Sequence, residues 1–178
     1  MIRLLIVEDS PVSSYLLERM FESDPEISVI GTVSTGESAL QFIENDMPDV
    51  ITVNIQLPDM DGFETTRRIM SICPVPIVAI TRTAPKEDVA GFFRAIDSGA
   101  VAVIRKPDGL NGATYAQCAE KLVDTVKDMA RLMVGSSPAG SLQSGHVAGF
   151  GGTRNSVTPA SKYFSVRYGT QSRGAPLS

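Results

Sequence analysis

The 178-residue chain has no tryptophan, a single histidine (His146) and two cysteines (Cys73 and Cys118). One imidazole rules out most histidine-based metal centres. The cysteines show no ligand spacing and suit a reducing, cytoplasmic compartment. No apolar run approaches the roughly 18–20 residues that span a bilayer. The opening Met-Ile-Arg-Leu-Leu-Ile-Val meets Glu8-Asp9 too soon to read as a secretory signal. A net charge of −4 and a pI near 5.0 argue against nonspecific nucleic-acid binding. Neither a nucleic-acid nor a membrane partner is expected.

Acids are also missing from one end. All 20 precede residue 129, so residues 1–134, with 12 Lys and Arg, carry a net −8; residues 135–178 hold four basic residues and no acid. Gly, Ser and Pro fill 20 of those last 44 positions. Such a stretch buries too little apolar surface to offset its ordering entropy. The expected division is a folded domain over 1–134 and a disordered Gly/Ser-rich linker or tail over 135–178.

Within 1–134, short aliphatic runs alternate with helical patterns. Strands are expected at 4–7, 27–33, 50–54, 76–80 and 101–104. Helices are expected from Ser10-Pro11, with Val12, Leu16, Leu17 and Met20 at helical spacing, and over 36–45, 63–72, 86–99 and 114–134. Ala39, Leu40 and Ile43 face inward on the second, and Cys118, Leu122, Val126, Met129 and Met133 share one face of the last. Gly99 is read as stopping the fourth helix, Gly62 as serving turn geometry, and Val103 as ordinary strand core. Strands that are apolar throughout and alternate with helices predict an α/β, three-layer, doubly wound, five-stranded parallel sheet in the order 2-1-3-4-5.

In such a sheet the site lies beyond the carboxyl ends of the strands, at the switch point of the order. Those ends carry Glu8-Asp9, Asn54, Thr81 and Arg105-Lys106-Pro107. An acidic pair ahead of a helix is also an ordinary N-terminal charge arrangement. Together, though, two carboxylates, a hydroxyl and an ammonium suggest a divalent-cation site beside an oxyanion site. A flavodoxin-like cofactor binder fits poorly, because "VEDSPV" lacks a Ser/Thr/Gly-rich phosphate loop.

The blocks "LLIVEDSPV" (4–12), "SDPEISVIGTVSTGESAL" (23–40), "DVITVNIQLPDMDG" (49–62), "AIT" (79–81) and "GAVAVIRKP" (99–107) resemble the response-regulator receiver domain of two-component signalling. They are most similar to the receiver of chemotaxis protein-glutamate methylesterases. The resemblance implies the flavodoxin-like receiver fold, a phosphorelay role and a sensor histidine kinase or other signalling partner. It further implies Mg²⁺ held by Glu8, Asp9 and the Gln56 carbonyl. Thr81 matches the hydroxyl that senses the phosphoryl group, and Lys106 the lysine that pairs with it. Lys106-Pro107 matches a peptide bond that is cis in many members.

Asn54 falls on the phosphoacceptor aspartate. A neutral amide is a far weaker nucleophile than a carboxylate, so no acyl phosphate is expected there. One fewer negative charge weakens Mg²⁺ binding or removes it. The favoured reading is a non-enzymatic, monomeric receiver module that docks partners without being phosphorylated. The alternative is a phosphorylatable receiver in which Asn54 is an introduced change, or is bypassed by another acid such as Asp9, as the regulatory domain of a truncated methylesterase. "YFSVRYGTQSRGAP" (163–176) faintly resembles the start of the esterase domain, but its catalytic histidine and aspartate have no sequence to occupy. Under the alternative reading, the output domain is a missing C-terminal one.

Overall fold

A computed structural model describes residues 1–83, 86–107 and 113–134. The chain divides into two units, Met1–Pro138 and Ala139–Ser178. All described residues belong to the first; the expected linker over 135–178 lies outside them, as does the side chain of the expected inward Met133.

Among the described residues ten elements alternate without exception: β1 (Ile2–Val7), α1 (Pro11–Glu22), β2 (Ile27–Val33), α2 (Gly36–Asn45), β3 (Val50–Asn54), α3 (Gly62–Ile72), β4 (Ile77–Thr81), α4 (Val89–Asp97), β5 (Ala102–Arg105) and α5 (Ala113–Val134). The strands form one parallel sheet in the order β2-β1-β3-β4-β5. The expected fold class is the observed one. Alternation of side chains along each strand feeds two cores. Leu4, Ile6, Val50, Val78 and Ile80 pack with Leu17, Phe21, Leu122 and Val126 from α1 and α5. Leu5, Val7, Ile51, Val53 and Ile77 pack with Ala39, Ile43 and Ile69 from α2 and α3. A smaller cluster joins Phe63, Ala79, Ala95 and Val103 beneath α4. No described helix is long and apolar enough to cross a membrane.

Three local expectations differ from the structure. Val12 is exposed, and the inner face of α1 is Leu17, Met20 and Phe21. The Ser10 hydroxyl accepts from Ser13 N at 3.4 Å, which fixes where the helix starts and so turns Val12 outward. The fourth helix begins at Val89, not Lys86, because the Asp88 carboxylate accepts from Gly91 N at 2.8 Å and caps it there. It ends at Asp97. Gly99, at φ +109°, takes the left-handed position, while Gly99 N donates to the Ile96 carbonyl and Ala100 N to that of Ala95. That bond pair is the Schellman closure, and Gly99 adopts its φ without a Cβ clash.

Gly62 is the third difference. It opens α3 at negative φ, so no left-handed turn asks for glycine there. A Cβ at this position would lie 2.3 Å from the Asn54 carbonyl oxygen and 2.6 Å from Ile55 Cα. Glycine is needed for close approach: it lets α3 start directly against the end of β3, with Gly62 N donating to the Ile55 carbonyl at 2.8 Å.

Candidate functional site

Register places the site residues. β3 lies between β1 and β4, and it ends at Asn54, opposite Ile80. Thr81 ends β4 opposite Arg105, the last residue of β5. Glu8 and Asp9 follow β1, and Lys106 follows β5. All these positions therefore reach the same carboxyl edge.

Glu8 is the buried anchor, 2% exposed. Its Oε2 accepts from Lys106 Nζ at 2.6 Å, and its Oε1 from Ser10 N at 3.2 Å. The Ser14 hydroxyl donates to the Glu8 backbone carbonyl at 3.0 Å, tying the start of α1 to the site. A buried carboxylate needs such partners, since an isolated one would carry a desolvation cost of several kcal/mol. Asp9, one residue further on, is exposed.

Asn54 is buried and fully engaged. Its Nδ2 lies 2.8 Å from Asp9 Oδ1, 2.9 Å from the Gln56 carbonyl oxygen and 3.3 Å from Glu8 Oε1. Its Oδ1 accepts from Gln56 N at 3.2 Å. Three oxygens thus converge on one amide nitrogen. Among the described residues no cluster of three or more His, Cys, Asp or Glu side chains forms a metal site. The oxygen set here is two carboxylates and a backbone carbonyl, hard donors of the kind that suit Mg²⁺ or Ca²⁺.

Thr81 stands at the same edge, half-buried. Its carbonyl accepts from Lys106 N at 2.7 Å, and its hydroxyl accepts from Thr83 N at 3.2 Å. The Lys106–Pro107 peptide bond is trans, as are all described peptide bonds.

Two further residues shape the rim and carry no signal in the sequence. The Arg82 guanidinium donates to Gln56 Oε1 at 2.8 Å, joining the loops after β4 and β3. Asp59 accepts from Gly36 N and Glu37 N, each at 3.2 Å, and holds the loop after β3 against the start of α2. Burial pushes the Asp59 carboxyl up, but the N–H groups of Met60, Glu37 and Gly36 outweigh it and hold it below the usual carboxylate range. Arg82 and Gln56 are 26 residues apart, and Asp59 and Gly36 are 23 apart, so no local pattern could pair them.

The model of the response regulator receiver domain family matches residues 4–112. Two protein-glutamate methylesterase/protein-glutamine glutaminases, from Methanospirillum hungatei and Syntrophus aciditrophicus, are 39% and 44% identical over 134 residues. Each match covers 75% of this chain and 38% of the relative, so the chain spans well under half the length of the curated relatives it matches. Among solved structures, the response regulator domain of Thermotoga maritima CheB aligns with a TM-score of 0.65 at 29% identity, covering 74% of this chain and 97% of that one. The five-stranded parallel sheet in the order 2-1-3-4-5 agrees with these matches: the chain belongs to the response regulator receiver domain family, and its receiver is of the CheB, protein-glutamate methylesterase type.

Proposed function

We propose that this receiver works as a docking module in a two-component phosphorelay and does not itself take up a phosphoryl group, because Asn54 stands at the phosphoacceptor position. The observation that carries this reading is the chemistry at the end of β3. The group there is a neutral amide, its nitrogen donating into an oxygen cluster and its oxygen accepting from Gln56 N. In a competent receiver a carboxylate oxygen attacks the phosphorus of a phosphohistidine or of acetyl phosphate. The new P–O bond makes an acyl phosphate, and imidazole or acetate leaves with the electron pair of the broken bond. An amide oxygen is too weak a nucleophile for that displacement.

The rest of the site supports a receiver ancestry for this chemistry. Glu8, Asp9 and the Gln56 carbonyl would hold Mg²⁺, which when bound offsets negative charge on phosphoryl oxygens. The Thr81 hydroxyl would donate to such an oxygen. Lys106 would pair with it, after giving up part of its contact with Glu8. The proposed partners are a sensor histidine kinase or another relay protein, with the receiver acting as a monomer in the cytoplasm. In a longer parent protein the output would be a methylesterase domain of the kind its relatives are named for.

The test is intact-mass measurement after incubation with acetyl phosphate and Mg²⁺. The natural chain is expected to stay unlabelled, and Asn54→Asp to gain one phosphoryl group. Labelling of the natural chain would show that another acid, Asp9 first among them, is the acceptor, and the docking reading would fall.

A further inference from the structure

We propose that the side-chain amide nitrogen of Asn54 takes the place of the divalent cation, so that the site is ordered without metal and a cation must compete with the protein's own amide. The argument begins with donor counting. An amide nitrogen carries two hydrogens. Asp9 Oδ1 at 2.8 Å and the Gln56 carbonyl at 2.9 Å take both, and Glu8 Oε1 at 3.3 Å completes the oxygen cage around the same atom. These are the three oxygens read above as the metal's donors, and the inference rests on that reading. Each points at one NH₂ group, whose hydrogens carry the partial positive charge.

The orientation of the amide is fixed by its surroundings. A half-turn about its last bond would set Oδ1 against two carboxylates and a carbonyl, and Nδ2 against the Gln56 N–H that Oδ1 now accepts. Every contact would then be repulsive. In the observed orientation the N–H hydrogens point into the oxygen cage, where they repel a cation. Asn54 is therefore more than an aspartate short of one charge. It blocks the place that the missing charge would have helped to fill.

This sets an order of cation affinity that charge counting alone does not. If Asn54 offered its amide oxygen as a weak ligand, removing the side chain would lower affinity. If the amide nitrogen blocks the cage, removing it opens the cage to a hydrated cation, which Mg²⁺ prefers. The expected order is Asn54→Asp tightest, then Asn54→Ala, then the natural chain.

Calorimetric titration of the full 178-residue chain and both variants with MgCl₂ alone, without phosphodonor, tests this. Asn54→Ala should bind at least about fivefold more tightly than the natural chain, as expected when a local repulsion is removed. An Asn54→Ala protein that folds and binds more weakly than the natural chain overturns the proposal. Asn54→Asp failing to bind overturns the oxygen cage and this inference with it, while leaving the acetyl phosphate test of silence to stand by itself. Should Asn54→Ala not fold, NMR on the unchanged chain decides. The Asn54 side-chain amide signals should be protected from exchange and unmoved by millimolar MgCl₂. A saturable shift of those signals in that range would show the amide yielding to the cation, and the proposal would be wrong.

Discussion

Two ion-pair clusters join the same early and late parts of the chain, one at each edge of the sheet. At the carboxyl edge Lys106 reaches Glu8 at 2.6 Å, with side-chain exposures of 11% and 1%. At the amino edge Lys127 reaches Asp24 at 2.9 Å and Glu26 at 2.7 Å, and Arg131 also pairs with Glu26. Half of Glu26 and more than half of Arg131 remain in water, while Lys127 and Asp24 are only 16% and 18% exposed. Charge and spacing in the chain are alike: Lys106–Glu8, Lys127–Asp24 and Arg131–Glu26 span 98, 103 and 105 residues. Solvent makes the difference. The pairs that Glu26 makes are open to water, screened and replaceable, and Lys127–Asp24 is partly sheltered, whereas the Glu8 carboxylate has only the protein to satisfy it. The amino edge fastens α5 to the loop before β2; the carboxyl edge keeps a charged site assembled.

The largest break in this comparison should come from Lys106→Met. It strands a buried carboxylate, so stability in metal-free buffer should fall by about 3 kcal/mol, read as a lower denaturant midpoint at unchanged slope. An unchanged midpoint would mean that water satisfies the Glu8 carboxylate at little cost, and the edges would not differ in kind. Gly62→Ala should rank next, at about 2 kcal/mol, because the new methyl overlaps backbone atoms of Asn54 and Ile55 that have no room to give. A midpoint within error of the parent would show that α3 can slide away from β3.

A gain is expected inside β3. Thr52 Oγ1 is buried with no hydrogen-bond partner among the described residues, two positions before the fully bonded Asn54. Thr52→Val keeps the shape and removes the unsatisfied hydroxyl, and should stabilise by about 1 kcal/mol in thermal or chemical melts. A loss instead would mean that the hydroxyl is satisfied by water.

The smallest effect belongs to the amino edge. Lys127→Ala should shift the midpoint slightly, and less in high salt. The hydrogen bond from Lys127 holds the Asp24 carboxyl below its ordinary value, helped by Glu26 N; Lys127 and then Arg131 do the same for Glu26. Hydrogen bonds to Glu26 and Asp24 in turn raise Lys127. Lowered carboxyls bind fewer protons folded than unfolded, so their contribution is present above the unfolded values and lost as pH falls through the folded ones. Raised Lys127 contributes below its unfolded value and loses that contribution as pH rises through its folded one. The gap between parent and Lys127→Ala should therefore be widest near neutrality and close below about pH 4. A gap that persists at pH 2 would point to packing of the lysine stem instead of its charge.

Element existence and sheet order were legible because strand runs such as Leu4–Val7 and Val50–Val53 are apolar throughout, which only a sheet covered on both faces allows. Phase and boundaries were less so. Val12 and Leu17 are equally apolar to a pattern reader, and only the bond from Ser13 N to the Ser10 hydroxyl decides which faces inward. Lys86-Glu87-Asp88 reads as a first helical turn until the Asp88 carboxylate is seen capping Gly91 N. Gly62 is a turn residue by composition and a contact residue in fact.

The sequence by itself determined that carboxylates, an amide, a hydroxyl and a lysine stand at strand ends, and the parallel order then brings them to one edge. Side-chain chemistry and strand length are local properties, so the chain carries them wherever it goes. Only the tertiary structure decided which way the Asn54 amide turns, that Lys106 spends its charge on Glu8, and that Arg82 closes over Gln56. Those choices depend on which donors and acceptors meet once water is excluded. That is settled by atoms 26, 45 and 98 residues apart in the chain.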